Sequence, residues 1–216
     1  MRLHVREWGD RGAAPVVCLH GATAHGGQFA RLAETLASRF HVLAPDLRGY
    51  GRSAHEPPWT LEDYVDDVLE LAPERARWIG MSFGGRLLIE LAAREPQRIQ
   101  QAVLLEPVLQ LPTHVGNDMA AWVTEAPNES EVGGELHRYS REATVAVMGE
   151  LTRELPSLAA LPTLLVIADE SYLPSREWAE ELEQKLENLE VVRVPGGHDV
   201  LVDAFDQTAA AIERFL

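Results

Sequence analysis

No stretch of this chain limits its possible folds as severely as Ile79-Gly80-Met81-Ser82-Phe83-Gly84-Gly85. An apolar run from Arg77 ends at Met81, and a helical pattern from Phe83 to Arg94 begins one residue later. A strand and a helix joined through a single serine require a tight turn with a strained backbone. Glycines at 80 and 84 suit that turn, because a Cβ at either position would collide with the neighbouring strand and helix. The turn projects the Ser82 hydroxyl from the carboxyl end of its strand, where open parallel sheets bind ligands. The start of the helix adds backbone donors and a partial positive charge, both suited to a developing oxyanion.

The rest of the chain repeats the same alternation. Strands are predicted over Leu3 to Trp8, Val16 to His20, His41 to Ala44, Arg77 to Met81, Ala102 to Leu105, Thr163 to Ala168 and Glu190 to Val194. Several are almost continuous aliphatic runs, as strands buried on both faces require. Helices are predicted over Gly27 to Arg39, Leu61 to Leu71, Phe83 to Arg94, Ser175 to Asn188 and Asp203 to Phe215. The expected fold class is α/β, a mostly parallel sheet of about seven strands flanked by helices, with Leu3 to Trp8 as the antiparallel member. Pro107 to Leu161 interrupts the rhythm. It shows no clear strand, contains Asn117, Asn128 and the Gly133-Gly134 pair, and has helix-like pieces at Met119 to Thr124 and Leu136 to Leu155. Ordinary connections have a median of about five residues, so this segment is read as a short helical insertion over the end of the sheet. The chain thus divides into 1–106, core; 107–161, insertion; and 162–216, core.

Bulk properties exclude several function classes. A chain of 216 residues with 46% hydrophobic content builds one sizeable core. Its net charge of −15 at pH 7 argues against partners with anionic surfaces, namely nucleic acid and acidic membranes. The single cysteine, Cys18, lies in the apolar run Val16-Val17-Cys18-Leu19 and reads as a buried structural thiol. Neither a signal peptide nor a membrane-spanning run is evident, so a cytoplasmic location is expected. No histidine, cysteine and carboxylate grouping has metal spacing, and Gly80 to Gly85 lacks the lysine of a phosphate-binding loop. No cofactor is expected.

Two further elements match a nucleophilic serine. An oxyanion hole takes one N–H from the residue after the nucleophile and one from a neighbouring loop. Here those are Phe83 and Ala22, the latter in the run Leu19-His20-Gly21-Ala22 that ends a strand. His20 itself reads as a brace for that loop. Val194-Pro195-Gly196-Gly197-His198-Asp199 places a histidine after the last predicted strand and before the last helix. A serine hydroxyl needs a positioned imidazole to remove its proton. Of the eight histidines, His198 alone lies at a sheet end in the chain order serine, acid, histidine. His4, His25, His41, His55, His114 and His137 receive no catalytic role.

Taken in order, His20-Gly21, Asp46-Leu47-Arg48-Gly49-Tyr50-Gly51-Arg52-Ser53, Gly80 to Gly85 and Gly197-His198 resemble the α/β-hydrolase superfamily across essentially the whole chain. The resemblance is strongest to its small esterases and lactonases, of the enol-lactonase and menaquinone-pathway type. It implies that Asp46 and Arg48 brace a loop, that residues 107–161 form a cap, and that Phe29 stands where many relatives carry tryptophan. It also implies an acid that orients His198. Most relatives place an aspartate after the strand ending here at Ala168, but that position holds Ser171, with Asp169 and Glu170 just before it. Other relatives take the acid from the preceding strand, which here ends at Glu106. Glu106 is the first choice, with Glu170 and then Asp169 as alternatives.

The resulting expectation is a serine hydrolase that cleaves small uncharged carboxylic esters or lactones through an acyl-enzyme. Same-site lyase, carbon–carbon hydrolase and cofactor-free perhydrolase chemistry are the alternatives, followed by a non-catalytic ligand receptor. Trp122, Met119, Tyr139 and Met148 are candidates to line the acyl pocket. No oligomeric state follows from the sequence.

Overall fold

The computed structural model describes residues 2–132, 134–156 and 160–216. The main sheet is built from β1 (Val5–Trp8), β2 (Ala14–Leu19), β3 (Phe40–Pro45), β4 (Ala76–Met81), β5 (Ile99–Leu105), β8 (Thr163–Ala168) and β9 (Leu189–Val194). Their spatial order is β1-β3-β2-β4-β5-β8-β9. Every neighbouring pair is parallel except β1 with β3, which runs antiparallel with Val5 opposite Pro45. The seven-stranded sheet and its antiparallel edge strand near Leu3 to Trp8 are as expected from the sequence.

Alternation along the strands sorts side chains into two cores. Val17 and Leu19 of β2, Trp78 of β4 and Leu165 and Ile167 of β8 face one side. There they pack against α2 (Leu61–Leu71), α3 (Phe83–Arg94) and α6 (Ser175–Lys185). Val16, Cys18, Ile79, Met81, Leu164 and Val166 face the other, against α1 (Ala30–Leu36), α7 (Val200–Asp203) and α8 (Phe205–Phe215). Sheet residues that are apolar on both faces demand helices on both, which is the reason the chain alternates. The helix starts carry their own signals. Thr60 caps α2 by accepting from the Asp63 N–H, and Asp63 reaches back to the Thr60 N–H in a capping box. Where a single helix was predicted over Gly27 to Arg39, a 3₁₀ turn at Gly26–Phe29 precedes α1. No helix among the described residues is long and apolar enough to cross a membrane.

The segment from Pro107 differs from its expected form. It contains α4 (Thr113–Glu125), a hairpin of β6 (Glu129–Val132) and β7 (Glu135–Arg138), and α5 (Arg141–Glu150). The expectation of no strand was wrong because the hairpin is an exposed ribbon rich in charge, without the apolar alternation of a buried strand. Its sequence signal was the Gly133-Gly134 pair, since glycines favour tight hairpin turns; Gly134 has φ +78°. Gly133 lies outside the described residues, as do Met1 and 157–159. The helical piece expected from Leu136 therefore starts only at Arg141, where Ser140 caps it through the Ala143 N–H.

Arg86 of α3 ties this segment to the core. Fully buried, it pairs with Glu90 at 2.8 Å and donates to the carbonyls of Leu109, Arg153 and Glu154. Both ends of the insertion thus converge on one guanidinium, whose planar fork of donors suits several carbonyls at once.

Candidate active site

Ser82 lies in the one-residue turn between β4 and α3 with φ +52° and ψ −111°. A non-glycine residue held there is strained, and its surroundings hold it in place. Its N–H donates to the Leu105 carbonyl at 2.9 Å, and its carbonyl accepts from the Arg86 and Val108 N–H groups. A Cβ added to Gly80 would overlap the Gly84 carbonyl, and one added to Gly84 would overlap the Leu19 carbonyl. Helix α3 packs backbone to backbone against β4 and β2, and only glycine permits that approach.

The loop after β9 carries His198. Gly197 donates its N–H to Asp203 Oδ2 at 2.9 Å, which fixes the loop against the start of the last helix pair. His198 Nε2 lies 2.9 Å from Ser82 Oγ, and its Nδ1 lies 3.1 Å from Glu106 Oε2. With Nδ1–H donating to the carboxylate, the Nε2 lone pair is left to accept the serine proton.

Glu106 follows β5 directly and is fully buried, with φ +44°. Its Oε1 accepts the Ala168 N–H at 2.7 Å, and its Oε2 accepts from Ser171, from Ser175 at 3.0 Å and from His198. Burial pushes the carboxyl up, but the bonds from His198, Ser171 and Ala168 outweigh it and hold the group below its ordinary range. Ser171, at the position where the resemblance implies an aspartate, therefore donates to the acid of the adjacent strand. Asp169 and Glu170 are exposed, and their backbones pair with Val194 and Gly196. The structure brings Ser82, His198 and Glu106 into one chain of contacts and leaves the two alternatives at the surface.

Ala22 lines the cavity beside Ser82, and the adjacent Gly21 packs against the serine. The Phe83 N–H is the first of α3 and has no intrahelical acceptor. Its ring turns into the core, edge-on to Tyr64. His20 is a brace: Nδ1 donates to the Gly21 carbonyl at 2.7 Å, and Nε2 accepts the Leu47 N–H at 2.9 Å. Burial depresses its pKa to about 4, which keeps the ring neutral. Asp46 accepts from the Gly26 and Arg52 N–H groups, and Arg48 pairs with Asp67 at 2.5 Å, so both tie loops together.

A cavity of about 380 Å³ opens over Ser82 and His198. Val108, Leu111, Val123, Met148 and Leu151 form its apolar wall, and Met119, Trp122 and Tyr172 also line it. Tyr139 does not line it: the ring is buried against the core, and its hydroxyl donates to the Pro127 carbonyl. The carboxylates that line it are Glu131 and Asp199, and among the described residues neither lysine nor arginine does. Among the described residues, no group of three or more His, Cys, Asp or Glu side chains is placed to hold a metal ion.

Some site residues escaped the sequence reading. Gln28 accepts the Gly21 N–H at 3.1 Å, and no local pattern announces it. Asp199 lines the cavity with a buried Oδ1 that lacks a partner, and burial raises its pKa. Its position beside His198 was the available signal.

The comparisons agree with this architecture. A model of the alpha/beta hydrolase fold matches residues 14–129. Lipase LipV of Mycobacterium tuberculosis is 38% identical over 113 residues, covering 50% of this chain and 43% of that protein. A pimeloyl-(acyl-carrier protein) methyl ester esterase of Vibrio campbellii is 37% identical over 97 residues, covering 44% of this chain and 38% of the relative. The matches thus span less than half the length of these curated relatives. The enol-lactonase of Burkholderia xenovorans LB400 superimposes with a TM-score of 0.88 at 20% identity, covering 99% of this chain and 95% of that structure. With more than half of its residues matched by that family model, the chain belongs to the alpha/beta hydrolase fold family.

Proposed function

We propose that this chain hydrolyses small uncharged carboxylic esters or lactones through an acyl-enzyme. The observation that carries the reading is the unbroken line from Ser82 Oγ through His198 to Glu106, with steps of 2.9 and 3.1 Å. Ser82 attacks the carbonyl carbon as His198 Nε2 takes its proton, and the tetrahedral oxyanion is held by the N–H groups of Ala22 and Phe83. The imidazolium is stabilised by Glu106 and returns the proton to the leaving alkoxide. Water then attacks the acyl-enzyme by the same route, releasing the acid and restoring Ser82. No step calls for a metal or cofactor.

The substrate class follows from the walls of the cavity. Its apolar side suits an acyl chain of modest length, and among the described residues it offers Glu131 and Asp199 but no cation to hold an anionic substrate. The net charge of −15 acts in the same direction at long range. The described part of residues 107–161 serves as the cap: Val108, Leu111 and Met148 form part of the wall facing Ser82. The esterase and enol-lactonase activities named for the similar proteins support the same reaction class. The test is direct. A fluorophosphonate labels Ser82, and Ser82→Ala lowers turnover of p-nitrophenyl butyrate by about 10⁶-fold with the fold intact. Appreciable turnover by Ser82→Ala would overturn the reading.

A further inference from the structure

Thr23 has φ +62°, an unfavourable conformation for a β-branched residue. It directly follows Ala22, whose N–H is assigned to the oxyanion, and it lines the same cavity. The core side of this loop is held from below, where the Gly21 carbonyl accepts from His20 Nδ1 and from the Ala24 N–H. The outer side is held by the hairpin. His137 of β7 lies with Nε2 3.0 Å from the Thr23 carbonyl. Its Nδ1 faces the Arg138 carbonyl at 3.3 Å. Burial lowers the pKa of His137, which favours the neutral ring with its one proton. The shorter contact assigns that proton to Nε2, which donates to Thr23.

The hairpin is itself anchored. Glu135 pairs with Arg6 of β1 at 2.6 Å, the Ser140 N–H donates to the Gly49 carbonyl at 2.7 Å, and Tyr139 bridges to Tyr50. Beneath His137 the ring of His25 stands edge to face with a centroid separation of 4.3 Å. His25 Nδ1 accepts the Gly27 N–H at 3.0 Å, so His25 is fixed to the turn that follows the same loop. The imidazole of His137 is therefore clamped between an anchored ribbon and a fixed ring, and it aims one donor at Thr23.

We propose that His137 is a positioning residue for the oxyanion hole: from the cap hairpin it pins the Thr23 carbonyl and so holds the Ala22 N–H in place for catalysis. The inference rests on the hydrolase reading above and extends it by making one oxyanion donor depend on the cap. An oxyanion donor acts on the transition state and little on the ground state, so its displacement lowers kcat and leaves KM nearly unchanged. A residue needed only for folding would not produce that split.

The experiment compares wild-type protein with His137→Phe, which keeps a ring against His25 and loses the donor, and His137→Gln, whose amide N–H restores it. Each is checked by circular dichroism, assayed with p-nitrophenyl butyrate, and titrated with an aryl trifluoromethyl ketone that forms an anionic hemiketal on Ser82. His137→Phe is expected to lose about tenfold in kcat, less than the loss of a donor itself, with KM within about twofold and ketone affinity reduced in step. His137→Gln should stay within about threefold of wild type on each measure. If the Phe variant does not fold, His137→Ser takes its place with the same expectation. A folded variant without the donor that keeps wild-type kcat and ketone affinity overturns the proposal, as does a Gln variant impaired as severely as the Phe variant. Those results, in protein that still takes the fluorophosphonate on Ser82, leave the hydrolase reading standing. Wild-type protein that neither takes the label nor turns over the ester overturns both.

Discussion

Glu106 combines three unfavourable features: a buried carboxylate, a positive φ and a following proline. Four donors offset the burial, and two of them, Ser171 and Ser175, come from the neighbouring loop and helix. Such a rigid, ionised carboxylate suits an acid that holds His198 in one tautomer. Glu106→Gln is expected to lower turnover by on the order of 10⁴-fold, less than loss of Ser82, because the amide cannot stabilise the imidazolium. Glu170→Gln should stay within about twofold, since an exposed side chain away from His198 has nothing to orient. The matched pair is assayed after both are checked for folding. A large loss confined to Glu170→Gln would transfer the role to the later loop.

The junction of β4 with α3 depends on contacts between backbones. No rotamer change relieves the clash that a Cβ at Gly84 makes with the Leu19 carbonyl, so strand and helix must separate. Gly84→Ala is expected to destabilise by about 3 kcal/mol or more, at the upper end for overpacking. Gly149, near the end of α5, meets nothing within 4 Å where a Cβ would be added. Gly149→Ala should therefore stabilise by roughly 0.5–1 kcal/mol, since alanine loses less backbone entropy in a helix. Urea melts of the two variants read both changes. Equal effects would mean that the packing of α3 on β2 is looser than the contacts imply.

The acid stability of the whole molecule depends on groups buried in their neutral or paired forms. His20 has its pKa depressed to about 4, whereas an unfolded histidine titrates near about 6.5. Between those values the unfolded chain binds a proton that the folded chain does not, so stability falls as pH drops. His20 alone contributes a loss of about 3 kcal/mol across that window, complete near pH 4. His25 and His137 are depressed too and act in the same direction. Glu106, held below its ordinary range, adds a further loss once pH falls through the carboxylate region. Urea unfolding at pH 7, 5.5 and 4.5 should show a steady decline. A flat profile would mean that His20 is protonated in the folded state.

Local chemistry determined a large part of this protein. Aliphatic runs marked most of the sheet strands because a strand buried on both faces has no polar side to show. Gly80, Ser82 and Gly84 marked the turn because nothing else joins strand to helix so tightly. His198 was legible from its order in the chain and the glycines before it. The hairpin was not, because an exposed ribbon has no apolar period and only Gly133-Gly134 announced it. Three carboxylates, Asp169, Glu170 and Glu106, stood near the expected rim, and nothing local to any of them says which one reaches His198. Packing decides that. β5 and β8 lie side by side, Ala168, Ser171 and Ser175 point their donors at Glu106, and His198 arrives from residues 92 positions away. His137 reaches Thr23 across 114 positions in the same way. Contacts between residues so far apart in the chain have no periodicity to betray them, and only the folded backbone brings them within hydrogen-bonding distance.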